Sequence, residues 1–346
     1  MIAAGLWLAV VGLAGSSCAG RIGRPPDSGV KVAPPRIAAA PGEPAEPLAV
    51  GGVERPIPAT VKIRVADRAG TRILTLPLDG YVLGAVRAEL MPATLREDPA
   101  SPMLDVQALV SRTYAVANLG RHAADGFDLC DTTHCQVYRS AAADESATDQ
   151  AACAVAATRG QIITYQGRAI QALFHANCGG YTASAASVWG GNDAPYLTSV
   201  PDWFCNQHPP PEWTFSETMS TLRSVLNTDQ RTSVGGRLDT VAVAGRDPSG
   251  RALLVALSGS RSVTVRAEVF RSVVNQAYGQ RSIRSARFTI VRRGGRLVIS
   301  GIGYGHGVGL CQAGAAMRAR AGQSPAAIIT HYFPGARIEP AQTSVR

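Results

Sequence analysis

The stretch FTIVRRGGRLVISGIGYGHGVGLCQAGA, Phe288–Ala315, decides how the chain folds. Phe288–Val291 and Arg296–Ile299 read as a strand pair. They run straight into a glycine segment, and a helix starts near Gln312. Strands and helix in succession, with no regular βαβ alternation, point to α+β rather than α/β. Gly301, Gly303, Gly305, Gly307 and Gly309 alternate with other residues around His306. Glycine serves where the backbone needs positive φ or where another group must approach closely. Two readings stay open here: a tight irregular turn, or a backbone against which a polymer or ligand lies.

The rest of the chain carries the same mixture. Val61–Val65 and Thr71–Pro77 alternate like two strands around a turn at Asp67–Gly70. Asp79 is placed to cap a helix over Gly80–Leu90, which Pro92 helps to stop. Met103–Leu119 and Ala147–Thr158 predict two more helices, closed by Gly120 and Gly160. Gln161–Tyr165 and Ala169–His175 read as a hairpin. Glu217–Leu226 predicts a helix, Asp239–Ala244, Ala252–Leu257 and Ser262–Arg266 predict strands, and Ala267–Asn275 another helix. The expectation is an α+β fold of helices and mainly antiparallel strands around a central cleft, with a smaller inserted lobe over 212–282.

Ile2–Gly15 is apolar but shorter than the about 20 residues that span a bilayer. Gly15-Ser16-Ser17-Cys18 follows, so residues 1–18 read as a lipoprotein-type signal peptide with Cys18 as the lipid-bearing residue. The chain is then exported and anchored to a membrane, facing the periplasm or cell wall. Residues 19–58 are rich in Pro, Ala and Gly and read as a tether. Residues 59–340 have globular composition and length for a sizeable core. A net charge of +9 on an exported chain suits anionic envelope polymers. No Lys/Arg-rich run or nucleic-acid motif is present, so no nucleic-acid partner is expected.

Several residues could carry chemistry. Val82, Leu83, Val86 and Leu90 make one apolar stripe, and Glu89 borders it. A carboxyl there is desolvated, which raises its pKa toward what a general acid needs; the alternative is an ion pair with a nearby arginine. Arg112, beside the face of Val106, Leu109, Val110 and Thr113, either orients a carboxylate or substrate group or packs between helices. Cys130, His134 and Cys135 are a donor set for zinc. In an oxidising compartment thiols favour disulfides, with Cys130–Cys135 and Cys178–Cys205 the expected pairs. Trp189, Tyr196 and Trp203 suit stacking on sugar faces, or fill the core. No Gly-Lys-Ser/Thr follows GIGYGHG, and neither GxSxG nor HExxH occurs.

Taken together, YVLGAVRAELMPA (Tyr81–Ala93), VQALVSRTYAV (Val106–Val116), HCQVYRS (His134–Ser140), FHANCGGYT (Phe174–Thr182), VWGGNDAPYLTSVPD (Val188–Asp202), GIGYGHGVGLCQAGA and HYFPGARI (His331–Ile338) resemble, in this order, the stage II sporulation protein D and LytB family of cell-wall proteins. The resemblance implies a peptidoglycan lytic transglycosylase. Such an enzyme cleaves denuded glycan strands between N-acetylmuramic acid and N-acetylglucosamine and leaves a 1,6-anhydro ring. It implies Glu89 as catalytic acid, Arg112 near it, and His306 in the family's Gly-His-Gly motif. Gly305, Gly307, Gln312, Thr182, Trp189 and Tyr196 are then expected along the glycan. Some members bind zinc through Cys and His, so Cys130, His134 and Cys135 are candidate ligands, although the chemistry itself requires no cofactor. Other relatives are amidase enhancers. That gives the rival reading, a non-catalytic glycan-binding activator of a cell-wall amidase; a zinc-dependent amidase is a third.

Overall fold

A computed structural model of the chain describes residues 57–67, 70–90, 102–140, 150–207 and 212–341. The segment read as a signal peptide, Cys18 and nearly all of the stretch read as a tether lie outside these residues. Among the described residues no helix is long and apolar enough to cross a membrane.

The fold is α+β: eight α-helices and small, mostly antiparallel sheets among the described residues. The chain opens with the predicted hairpin, β1 (Thr60–Asp67) against β2 (Gly70–Pro77), in register from Thr60 opposite Pro77 to Asp67 opposite Gly70. Helix α1 (Leu78–Glu89) follows without a break. Asp79 does not cap it. That carboxylate lies inside the first turn and pairs with Arg112 and Arg159 at 3.2 and 2.8 Å.

Helix α2 (Pro102–Ala117) is buried along almost its whole length, and its polar residues Gln107, Ser111, Arg112 and Thr113 are buried with it. It runs through the larger of two apolar cores. That core also takes Val61, Ile63, Tyr81, Val82 and Val86 from β1 and α1, and Ile328, Ile329, Tyr332 and Phe333 from the C-terminal end. Helix α3 (Gln150–Ala157) packs on α1 and α2. The second core gathers Trp213, Leu222, Leu226, Val255, Leu257, Phe270, Val274, Phe288 and Ile299. Its frame is β7 (Glu212–Thr218), α5 (Met219–Leu226), the meander β8 (Leu238–Arg246), β9 (Ala252–Gly259) and β10 (Val263–Arg266), and α6 (Ala267–Tyr278). Helix α5 begins after Thr218, whose hydroxyl accepts from Thr221 N; Glu217 belongs to the strand before it.

The predicted hairpin at 161–175 is only half formed. β4 (Gln161–Tyr165) pairs with β5 (Arg168–Ala169), and then the chain leaves the sheet. Phe174–His175, strand β6, pairs instead in parallel with Leu310–Cys311, strand β13. The partner comes from the glycine segment, far away in sequence, so local alternation could not name it.

The segment enters from β11 (Phe288–Arg293) and β12 (Arg296–Ile302) and leaves into α7 (Gln312–Arg320). Its glycines are filled by protein. A Cβ on Gly301 would lie 2.4 Å from the Trp213 ring, and one on Gly307 would lie 2.4 Å from the Arg251 guanidinium. On Gly309, at φ +70°, it would meet the Leu173 carbonyl oxygen at 2.2 Å. Side-chain carbon cannot come that close to backbone, so the segment is glycine-rich because two strands press together. Gly309→Ala should cost about 3 kcal/mol, combining left-handed backbone with overpacking. Gly191→Ala, at φ +79° with open space around it, should cost only about 1 kcal/mol. Urea unfolding of the two variants checks the difference.

Candidate active site

Glu89 is the last residue of α1, half-buried at the edge of the larger core. Burial pushes its pKa up from the usual 4.5 to about 7. Two hydrogen bonds act against burial without cancelling it. The backbone N–H of Val137 donates to Oε1 at 3.0 Å, and the Gln312 side chain reaches the carboxyl as well. Among the described residues no ion pair to Glu89 is formed.

Each partner is held from behind. Gln312 is the first residue of α7, and its Nε2 also donates to Gln107 Oε1 at 3.2 Å. Gln107, fully buried on α2, donates to Ser111 at 3.2 Å. This amide chain brings the glycine segment to the acid. Gln107 carried no sequence signal, because a lone glutamine on a helix has no spacing that marks it.

Val137 belongs to the loop after β3 (Leu129–Cys130). In that loop Gln136 Nε2 donates to the Tyr81 hydroxyl at 3.0 Å, Tyr138 stacks on Tyr81 at 5.7 Å, and Arg139 N donates to the Gly84 carbonyl. The loop is thus fastened along α1 and its amide is aimed at the carboxyl. Gly84 is required for this: a Cβ there would sit 2.2 Å from the Tyr138 ring.

The same loop carries a donor cluster. Cys130, His134 and Cys135 converge as predicted, joined by His122, which sequence reading overlooked. One ligand atom from each lies within 4.8 Å of the others. His122 Nε2 is 3.3 Å from Cys135 Sγ, and His134 Nδ1 is 3.7 and 3.6 Å from the two sulfurs. Zinc bonds of about 2.0–2.3 Å give tetrahedral edges of about 3.3–3.8 Å, so the set fits a zinc ion. Asp125, 3.8 Å from His122 Nδ1, would orient that ring from outside. The expected Cys130–Cys135 disulfide is not formed, and neither is Cys178–Cys205; all four thiols are free. In the first pair the sulfurs turn toward imidazoles, and the Cys135 thiol hydrogen-bonds to Cys130 and pulls its pKa down. The signal for His122 was its place eight residues before Cys130.

Other predicted residues serve elsewhere. Arg112 is fully buried and does not approach Glu89. It donates to the Thr158 and Val155 carbonyls at 2.8 and 3.1 Å and to Asp79 at 3.2 Å. Asp79 begins α1 and Glu89 ends it, about 15 Å apart at 1.5 Å per residue. Arg112 therefore clamps α1, α2 and α3 together. Tyr196 is a core residue whose hydroxyl accepts from Gln171 N, and buried Thr182 is tied to Val200 N at 2.8 Å. Asp131, in the loop after β3, accepts from Ala66 N.

His306 is half-buried against Trp189, ring centroids 5.2 Å apart. Its Nδ1 accepts from Val308 N at 3.0 Å, and a ring N–H reaches the Phe174 carbonyl. Burial, then the charges of Arg271 and Arg251, lower its pKa to about 3, so the ring is neutral. With both nitrogens used, His306 braces the glycine segment. Gly305 likewise abuts His175 and Gly307 abuts Arg251. Trp189, partly exposed, and Trp203, 74 % exposed, remain open to a ligand.

Residues 67–165 match the stage II sporulation protein family model. The chain is 31% identical to the stage II sporulation protein D of Bacillus amyloliquefaciens, over 82% of this chain and 80% of that protein. It is 29% identical to the protein of that name from Bacillus subtilis (strain 168), over 84% and 82%. An amidase enhancer of Bacillus subtilis (strain 168) is 26% identical over 70% of this chain and 39% of its own length.

Arg112→Met should cost about 3 kcal/mol, because Asp79 and two carbonyls lose a buried cation. The Glu89 titration midpoint, read by carboxyl carbon NMR, should stay at its wild-type value, which an arginine acting on Glu89 would not allow.

Proposed function

This chain belongs to the stage II sporulation protein D family, and we propose that it is a peptidoglycan lytic transglycosylase with Glu89 as its single acid and base. One observation carries the reading. A half-buried carboxyl with no ion-pair partner among the described residues, at pKa about 7, holds a proton near neutral pH and can give it up. Two neutral donors, the Val137 amide and the Gln312 side chain, fix its direction.

The chemistry needs only that group. Protonated Glu89 donates to the glycosidic oxygen as the bond to C1 of N-acetylmuramic acid breaks. The Glu89 carboxylate then takes the proton of the C6 hydroxyl, whose oxygen bonds to C1 of the same sugar. The ring closes, the other strand end leaves as an alcohol, and Glu89 is protonated again. A hydrolytic glycosidase uses two carboxyls about 5–9.5 Å apart. An internal hydroxyl replaces the positioned water and gains the advantage of proximity. Trp189 and Trp203 offer ring faces to the sugars, and the +9 charge suits an anionic wall. The lipoprotein-type start would hold the enzyme in the envelope, at the end of its tether.

Zinc on His122, Cys130, His134 and Cys135 belongs to the same reading as a structural ion, because it would hold the loop that presents the Val137 amide. A bound zinc supplies a fixed tetrahedral cross-link. The second reading, an activator of a cell-wall amidase, is favoured by the similarity to a protein named amidase enhancer. Mass spectrometry of products from denuded glycan tests both. Anhydro ends support the transglycosylase. No turnover, with stimulation of an amidase, supports the activator.

Glu89→Gln should abolish release of anhydro products, and the wild-type kcat/KM should fall above pH about 7 as the acid ionises. Folding raises this pKa, so the folded state holds its proton more tightly and stability declines as pH climbs from 4.5 through about 7. The Gln variant should lose that decline and be about 2 kcal/mol more stable than wild type at pH 8, after allowance for partial exposure. Stripping the metal, or His122→Ala, should lower Tm and raise the alkaline midpoint of kcat/KM. Loosening the Val137 N–H removes a donor that favours the carboxylate; an unchanged midpoint would detach the metal from the acid.

A further inference from the structure

The described residues hold a second convergence of soft donors, separate from the loop that carries His122. Cys178, Asp202, Cys205 and Cys311 are all buried, and one ligand atom from each lies within 4.8 Å of the others. We infer that these four residues form a second metal centre, which takes a thiophilic divalent cation of the zinc class with three sulfurs and one oxygen. The inference does not depend on the activity proposed for Glu89.

Three distant pieces of chain supply the ligands. Cys178 opens the turn after β6, Cys205 begins a short 3-10 turn (Cys205–Gln207), and Cys311 ends β13 and caps α7. The turn has the shape of a metal knuckle. Gly179 and Gly180 both have positive φ, +72° and +102°, and Gly180 N donates to Cys178 Sγ at 3.3 Å. Cys178 N donates to Cys311 Sγ at 3.2 Å and Gly314 N to the same sulfur at 3.4 Å. A thiol is a weak acceptor, whereas a metal-bound thiolate uses such donors fully. Three N–H groups are thus directed at two buried sulfurs, and Cys178 Sγ, with its thiol proton on, donates to Asp202 Oδ2 at 3.5 Å, a contact that metal binding would replace.

Asp202 is prepared in the same way. It is fully buried, accepts from the Tyr332 hydroxyl at 2.8 Å and from Cys205 N at 3.3 Å, and lies 3.7 Å from Arg318. Outer contacts of this kind orient a metal ligand. Gly314 leaves room for it, since a Cβ there would meet Asp202 Oδ2 at 2.0 Å.

Charge points the same way. Arg251 is 1% exposed and donates to the Cys178 carbonyl at 2.8 Å, while its Nε and Nη1 have no hydrogen-bond partner among the described residues. A buried guanidinium needs an anion nearby. Three thiolates, one carboxylate and a dication leave an excess of negative charge, met by Arg251 on one side and Arg318 on the other. Asp247 and Glu268 also act on Arg251, so the cluster adds to the anionic side of this guanidinium rather than supplying it alone. Metal binding releases the three thiol protons and involves no change of oxidation state.

The place of the centre gives it a task. It joins the β6–β13 pair to the start of α7, one residue before Gln312, and so fixes the residue that reaches Glu89. The test uses the full chain carrying His122→Ala and Cys135→Ser, which empties the first cluster. Titrated with cobalt(II), it should bind about one ion per chain with an intense thiolate-to-cobalt absorption. Adding Cys205→Ser should remove that band. On the wild-type chain, denatured with chelator and no reductant, Cys178, Cys205 and Cys311 should all be alkylated. Absence of thiolate-bound cobalt, or a disulfide-linked peptide containing any two of these cysteines, overturns the inference.

Discussion

The distance between two backbones governs this molecule. Residues 301–311 lie directly on residues 173–179, pairing in parallel at Leu310–Phe174 and Cys311–His175. Asn177 and Tyr304 form a further bridge. No side chain fits between Gly309 and the Leu173 carbonyl, or at Gly303, where a Cβ would lie 2.9 Å from the Asn177 carbonyl oxygen. Because that contact closes, His306 is sealed by Val308 and Phe174, Cys311 reaches Cys178, and α7 starts with Gln312 against the acid. A carbon added anywhere along this seam would act on all three together.

Glu89 shows how the surroundings of a carboxyl set its pKa. An arginine beside Glu89 would have pinned it as an anion. The nearest buried guanidinium on α2, that of Arg112, is spent instead on Asp79 and the end of α3. Among the described residues, what reaches Glu89 is a backbone amide and a side-chain amide, neither of them charged. Neutral donors fix the geometry of a carboxyl while leaving burial to decide its pKa.

Cysteine placement follows a related economy. All five described free thiols are buried, and they divide into two clusters whose sulfurs face imidazoles in one case and a carboxylate in the other. Two arginines from the side of the second core, Arg251 and Arg287, donate to the carbonyls of Cys178 and Gly179. The knuckle is thereby the point where both cores meet. Arg266 makes a similar tie from the end of β10 to Ser187 in α4 (Ala185–Trp189).

Much of this was legible in the chain itself. Period-two alternation marked β1, β2, β8, β9, β11 and β12, and period 3.6 marked α1 and α2, because those patterns arise from each element facing a core. The apolar stripe beside Glu89 pointed to desolvation and a raised pKa, with an arginine ion pair as the open alternative, because the stripe marks the face that tertiary packing buries. Roles that depend on a distant partner were not legible. Tyr196 and Thr182 looked like ligand contacts and are core residues, and Arg112 looked like part of the site and holds three helices together. His122 and Gln107 join the site only through the folded loop and the packing of α7. Sequence by itself determined the α+β class and the crowding of glycine around His306, and it placed Glu89 beside an apolar stripe. Tertiary structure alone decided what approaches those glycines: a neighbouring strand of the same chain, whose identity is set by long-range packing that no local period encodes.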